Sequence, residues 1–423
     1  MGYAMRIKDI IEKKVKGKEL SYNEIEYVVN NFVDGKINDK NMTLFIKSIY
    51  NSGLNYKETL YLTDIMIKSG ISEDLTEIKN VTVDKHSTGG VGDKTSLIVL
   101  PICASLGICV PKMSGRSLGT TGGTVDKLES IPGFKSELSH KKFIEILNEV
   151  GCVDICQTKD IALADKKIYA LRDKTGYVDS IPLIASSIMS KKIACSSKNI
   201  VIDLKVGKGA FMKNISDASK LAKLMIRIGK YYKRNVVCVL TDMDTPLGNN
   251  IGNKLEVKEA INFFDGRYDK RLYDLVVTLS SYMVSISKKI SYKESNKRVI
   301  EVLKNETAKN KFYEWITAQS GNIKDLRVNA KRIDVKSSIT GYVKSIDASS
   351  IGLISSLLVG KNKDLNTGIV LRKKIGDFVE NDEVVASIYY NKEVNNMISI
   401  IRDAYKFSSH PIKEKNIILK TIK

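Results

Sequence analysis

Lys112-Met113-Ser114-Gly115-Arg116-Ser117-Leu118-Gly119-Thr120-Thr121-Gly122-Gly123-Thr124-Val125-Asp126-Lys127-Leu128-Glu129 carries the chain from a short apolar strand through a glycine-rich loop into a helix. Asp84-Lys85-His86-Ser87-Thr88-Gly89-Gly90-Val91-Gly92-Asp93-Lys94-Thr95-Ser96 makes the same transition earlier, between a strand at Val81 and Val83 and an apolar helix from Leu97. Glycines at 89, 90 and 92 let the backbone approach a ligand closely. A helix start offers free N–H groups and a partial positive charge, and Lys85, Ser87 and Ser96 add donors. The spacing is not that of a Walker loop. Taken alone, the first loop reads equally as a phosphate cradle or a plain tight turn. Two such loops in one α/β unit favour the cradle, because open α/β sheets bind ligands beside neighbouring strand ends.

Outward from these loops the chain divides into three parts. Residues 1–70 read as helical. Ser21 to Glu24 and Asn55 to Glu58 are capping-box patterns, and Met42, Phe45, Ile46 and Ile49 recur at helical spacing. From about residue 80, apolar strands (Ile108–Val110, Val153–Ile155, Ile200–Leu204, Val236–Leu240) alternate with helices (Lys141–Val150, Asp217–Tyr231), the α/β signature. A helical stretch runs from Lys270 to Trp315, and residues 320–336 read as a polar linker. The last part is strand-rich with glycine punctuation at Gly341, Gly368 and Gly376.

The 423 residues allow two or three domains at roughly 100–200 residues each. The longest apolar stretch, Leu97 to Val110, is broken by Pro101, Ser105 and Gly107 and is too short to span a membrane. The N-terminus turns polar too early for a secretory signal, and Arg6 does not suit an acylation pattern. Cys103, Cys109, Cys152, Cys156, Cys195 and Cys238 lack Cys-x-x-Cys spacing and read as free thiols in a reducing cytoplasm. With only His86, His140 and His410 available, a zinc site is not expected. The net charge of +20 comes from lysines spread along the chain, which reads as a solvated lysine-rich surface rather than a nucleic-acid footprint. It also suits an anionic substrate.

A third stretch contains Tyr169-Ala170-Leu171-Arg172-Asp173 and then Ser186-Ser187-Ile188-Met189-Ser190-Lys191-Lys192. Ser187 and Lys191 share a helix face. Arg172 and Lys191 are donors suited to the carbonyl oxygens of a base, although Lys191-Lys192 alone reads as a solvated helix end. Together the three stretches resemble the pyrimidine and thymidine phosphorylases. Their signature Ser-Gly-Arg-x-Leu-x-x-Thr-Gly-Gly-Thr-x-Asp-Lys-Leu-Glu is matched from Ser114 to Glu129, and KHSTGGVGD, ADKKIYALRD, SIPLIASSIMSKK, DLKVGKGAFM, LGNNIGNKLEVKEAI and GIVLRKKIGDFV also match.

That resemblance implies an α/β fold: a small all-helical domain, a larger α/β domain with a central mixed sheet, and a C-terminal α/β hammerhead domain. The implied bounds are 1–66 with 163–194, 80–154 with 195–330, and 337–423. It implies a cytoplasmic homodimer, with no nucleic-acid or membrane partner, that splits uridine, thymidine and deoxyuridine with inorganic phosphate as co-substrate. By resemblance, Lys85, His86, Ser87, Ser96, Lys112, Met113, Ser114 and Thr124 hold phosphate. Leu118, Asp165, Tyr169, Arg172, Ser187, Lys191 and Phe211 bind the nucleoside, and His86, Arg172 and Lys191 are catalytic. A protonated His86, at an imidazole's ordinary value of ~6.5, suits proton donation to the departing base. Lys112 points to the broad-specificity branch and leaves strict thymidine phosphorylase as the alternative. That branch implies a potassium site at Gly92, Lys94, Leu247, Asn250 and Glu259, but Lys94 departs from the pattern: its ammonium either pairs with Glu259 and replaces the ion or faces solvent. Ser117, Thr120 and Lys208 are further departures, and Ser117 is expected to strain its loop. An enzyme like anthranilate phosphoribosyltransferase, or a basic nucleic-acid-binding protein, is the more distant alternative.

Overall fold

A computed structural model describes residues 5–117, 122–156 and 161–423. Helices α1 (Ile7–Val15), α2 (Tyr22–Val33), α3 (Asp39–Ser52) and α4 (Tyr56–Lys68) form a bundle. Both expected capping boxes are present, at Ser21/Glu24 and Asn55/Glu58. The α/β part begins with β1 (Val83–Ser87), α5 (Thr95–Ser105), β2 (Val110–Ser114), α6 (Thr124–Glu129), α7 (His140–Glu149) and β3 (Cys152–Cys156). Then come α8 (Leu163–Thr175) and α9 (Ile181–Ala194), whose Ala164, Ile168, Leu171 and Leu183 join the core of the first bundle. The chain returns through β4 (Asn199–Val206), α10 (Ile215–Tyr231), β5 (Asn235–Asp242), β6 (Asn250–Ile251), α11 (Asn253–Phe264), α12 (Lys270–Lys288), α13 (Tyr292–Lys304) and α14 (Thr307–Ala318).

Strands β1, β4 and β5 run parallel, and β2 pairs in parallel with β3. A bridge between Thr82 and Cys109 joins the two sets, giving the order β3-β2-β1-β4-β5. Winding reverses between β1 and β4, the position where open α/β sheets leave a ligand crevice at their carboxyl ends. Side chains alternate across this sheet. Ile200, Ile202 and Leu204 of β4 pack with α9 and α10, while Val201 faces the core that contains α5 and α12. Helix α9 has almost no polar face because it is wedged between the bundle and the sheet, with Leu183 through Ser190 all buried.

The terminal part comprises β7 (Lys331–Lys336), β8 (Gly341–Ile346), α15 (Ala348–Val359), β9 (Gly368–Leu371), β10 (Phe378–Val379), β11 (Val384–Tyr390), α16 (Asn395–Ala404), β12 (Tyr405–Ser408) and β13 (Ile418–Ile422). Two strand pairings tie it to the α/β part: β6 pairs with β9, and β13 runs antiparallel along β5. The expected linker at 320–336 is in part a strand. Lys-Arg-Ile-Asp-Val-Lys alternates, so Ile333 and Val335 reach the terminal core while the charges face outward, and β7 pairs with β11. The strand expected at Ile108–Val110 lies instead at Val110–Ser114, because the ladder to β3 runs through Lys112 and its partner Asp154. Among the described residues no helix is long and apolar enough to cross a membrane. All six cysteines are unpaired, and all but Cys156 are buried. The lysines are not all solvated: Lys14, Lys85, Lys94, Lys112, Lys127, Lys192 and Lys205 are buried.

Candidate active site

Lys85, His86 and Ser87 lie on β1 itself rather than on the loop after it. Strand alternation then separates neighbours. Asp84 takes an ion pair from Lys192 of α9 at 2.6 Å, whereas Lys85 donates to Thr95 Oγ1 of α5 at 2.6 Å and lies 3.9 Å from Asp93. Lys85 is therefore sealed beneath the first loop, where burial lowers its pKa and the charges of Asp93 and Asp203 oppose that effect. His86 is half-buried, and burial holds its pKa well below 6.5, with the positive charges of Lys192, Lys112, Lys191 and Lys85 adding to the effect. The ordinary imidazole value assumed from sequence does not fit this setting, which favours the neutral ring.

On β2, Lys112 donates to the Met113 carbonyl at 2.9 Å, and burial, with Lys192 nearby, lowers it to about 8, so it stays mostly cationic at neutral pH. Ser114 donates to Asp154 Oδ2 at 2.9 Å, and burial raises Asp154 to about 6. Ser96 lies buried in the first turn of α5, and Thr124 opens α6. Met113 packs its sulfur 3.4 Å from that of Cys195.

Most of the second loop's charged residues close the loop. Arg116 grips Glu129 through both terminal nitrogens at 2.5 and 2.9 Å, and Asp126 accepts from the Ser117 N–H at 2.6 Å. A Cβ on Gly123 would sit 2.2 Å from the Ser117 nitrogen, so only glycine fits there. Ser117 itself is not among the residues with positive φ, so the strain expected of it is not found. Lys127 links the two loops: its ammonium donates to the Asp93 carbonyl at 2.7 Å and pairs with Glu256 at 2.9 Å. Sequence reasoning missed Lys127, and also Lys205, which pairs with Asp203 at 2.7 Å and lies 4.0 Å from Asp93. The available signal was charge inside quoted motifs whose neighbours are apolar. Lys208 is exposed; its carbonyl accepts from Ser349 of the terminal part at 2.9 Å. Leu118 and Thr120 lie outside the described residues.

Helices α8 and α9 bring the other group together. Lys191 pairs with Asp165, donates to Ser187 Oγ at 2.9 Å and lies 5.6 Å from the Tyr169 ring centre. Lys191 and Lys192 are thus not a solvated helix end. Lys191 keeps 19% of its side chain exposed, while Lys192 turns inward to Asp84. Arg172 spends three N–H groups on the carbonyls of Tyr177, Leu183 and Val178, at 3.0, 3.2 and 2.6 Å. A guanidinium has five such donors, so two have no hydrogen-bond partner among the described residues. Phe211 is exposed on the connection between β4 and α10.

Gly92, Lys94, Leu247, Asn250 and Glu259 also come together, but they do not fit a free ion. Lys94 Nζ sits among the oxygens, 2.8 Å from the Leu247 and Asn250 carbonyls and 2.7 Å from Glu259 Oε2.

The profile described as glycosyl transferase family, a/b domain, matches residues 79–309, and that family's helical bundle domain matches 8–70. The pyrimidine nucleoside phosphorylase C-terminal domain matches 342–408. The fold is similar to anthranilate phosphoribosyltransferase from Thermus thermophilus, with a TM-score of 0.59 at 15% identity, covering 74% of this chain and all of that one. The family models that match the bundle and the α/β part define a pentosyl-transferring enzyme of the glycosyl transferase class. The chain is 45% identical to the pyrimidine-nucleoside phosphorylase of Bacillus subtilis, over 96% of its length and 97% of that protein. It is 44% identical to the one from Staphylococcus epidermidis, over 93% and 94%, and 41% identical to that of Geobacillus stearothermophilus, over 99% and 100%. The chain belongs to the pyrimidine-nucleoside phosphorylase family.

Proposed function

We propose that this enzyme catalyses reversible phosphorolysis of uridine, thymidine and deoxyuridine, as a cytoplasmic homodimer. The observation that carries this reading is the position of His86. His86 stands on β1 beside Lys85, next to the strand that bears Lys112, and β1 is pinned to α9 by the Asp84–Lys192 pair at 2.6 Å, so a phosphate at the loops and a base at α8–α9 would meet there. A phosphate oxygen forms the new bond to the sugar C1′ while the C1′–N1 bond breaks. The departing electron pair spreads onto the ring oxygens, where Lys191 and the two spare donors of Arg172 stabilise it more than the neutral substrate. Lys112 supports the broader substrate range over thymidine alone, on the family resemblance.

A neutral His86 cannot protonate the base unless something raises its proton affinity. Dianionic phosphate does so by offsetting the surrounding lysines. Phosphate binding is therefore coupled to proton uptake. An NMR titration of the His86 ring is expected to give a midpoint below 6.5 in phosphate-free enzyme and a higher one with phosphate bound; equal midpoints would remove His86 as the donor.

The direct test of the activity is phosphate-dependent release of base. Uridine, thymidine and deoxyuridine should be cleaved with phosphate and left intact without it. Cleavage of thymidine and deoxyuridine alone would favour the strict thymidine reading. No phosphorolysis of any of them would sink the proposal.

A further inference from the structure

Lys94 ends the first glycine-rich loop and forms the N-cap of α5. Its side chain is fully buried, yet it reaches across to a turn more than 150 residues away in sequence. There its three N–H groups meet three oxygens: the carbonyls of Leu247 and Asn250 at 2.8 Å each and the carboxylate of Glu259 at 2.7 Å. An ammonium carries three donors, so its capacity is filled. The acceptors are held from behind, since Glu259 also accepts from the Asn249 and Asn250 N–H groups at 2.7 and 2.8 Å. Gly92 lets the loop approach: a Cβ there would lie 2.4 Å from the Leu247 oxygen. A Cβ on Gly248 would come within 2.8 Å of both Glu259 and the Lys94 nitrogen, so that side of the cage is closed too.

Two carbonyls and a carboxylate are the donors a hard monovalent cation takes. Here the charge at their centre is covalently attached to the chain. We propose that Lys94 is a built-in cation which permanently takes the place of potassium, so that this enzyme holds its phosphate loop without any free ion. The same node joins the loop to α11, and through Lys374, which donates to the Gly248 carbonyl at 2.8 Å, to the terminal part. Lys94 is therefore a positioning residue. It fixes where α5 begins, and with it Thr95, which holds Lys85, and Ser96.

The test compares chloride salts of potassium, lithium and tetramethylammonium at one ionic strength, reading both the thermal midpoint and the rate of phosphorolysis. The natural protein should show the same midpoint and rate in all three. Lys94→Ala opens the cage. In tetramethylammonium its rate should fall about 10- to 100-fold, the usual scale for losing a group that orients a binding site. Potassium should restore the rate and raise the midpoint, as a ligand of the folded state does, while the smaller lithium ion should do neither. A potassium-dependent midpoint or rate in the natural protein would overturn the proposal, as would a folded Lys94→Ala that ignores potassium. If Lys94→Ala does not fold, the natural protein decides alone. The inference rests on the phosphorolysis reading only for its rate arm; the midpoint needs no turnover, so absence of activity counts against that reading and not against the filled cage.

Discussion

Lys191→Ala is expected to lower kcat for uridine and for thymidine alike by about 10²- to 10³-fold, the cost of removing one preorganised donor from a developing negative charge. The side chain is set for this. Ser187 lies one helical turn before it and accepts one N–H at 2.9 Å, Asp165 takes another, and the Tyr169 ring lies 5.6 Å away. The side chain keeps 19% of its surface exposed, so it is not sealed off from a ligand. The variant also strips the charge from beside Asp165, which is only 3% exposed, so some loss of stability accompanies it. Lys191→Ala combined with Asp165→Asn separates the two effects: it removes the stranded carboxylate without replacing the donor. Stability should largely recover while kcat stays low. If the single variant turns over both nucleosides within about threefold of the natural enzyme, a change worth well under 1 kcal/mol of barrier, Lys191 is not at the leaving group.

The order of elements was legible because their periodicities are strong. The bundle's capping boxes and the amphipathic helices at 140–149 and 215–231 stand where the sequence puts them. The strands bearing the chemistry were displaced, and for one reason. Apolar runs mark Val81 to Val83 and Ile108 to Val110, but the hydrogen-bonded ladders extend onward through Lys85, His86, Lys112 and Ser114. Charged side chains on a strand read as loop when only hydropathy is weighed. They are tolerated there because each finds a partner: Lys85 has Thr95 and Asp93, and Ser114 has Asp154. The same blindness hid Asp84, Lys127 and Lys205, since a buried ion pair joins residues far apart in sequence and leaves no local pattern. The clustering of Asp165, Tyr169, Ser187 and Lys191 was legible through family resemblance and helical spacing. The engagement of Arg172 with backbone carbonyls was not, because carbonyls are invisible in a sequence.

The largest loss of stability is expected from Lys192→Met. Lys192 and Asp84 have side chains 3% and 0% exposed and meet at 2.6 Å, linking α9 to β1 at the centre of the sheet. Burial alone would lower the Lys192 pKa; the adjacent Asp84 charge and hydrogen bond outweigh that and raise it. Methionine preserves much of the volume and removes the charge. Asp84 then keeps a buried carboxylate whose other oxygen already has no hydrogen-bond partner among the described residues. Breaking such a pair from one side costs about 3–5 kcal/mol, a large share of the roughly 5–15 kcal/mol that holds a typical domain together. Urea denaturation followed by tryptophan fluorescence suits the measurement, because Trp315 is fully buried in the α/β core. Lys192→Met with Asp84→Asn removes both charges and should regain most of the loss, because a neutral pair has far less desolvation to offset. A loss below about 1 kcal/mol for the single variant, the scale of an exposed ion pair, would mean that water reaches Asp84 and that the seam between α9 and the sheet is open.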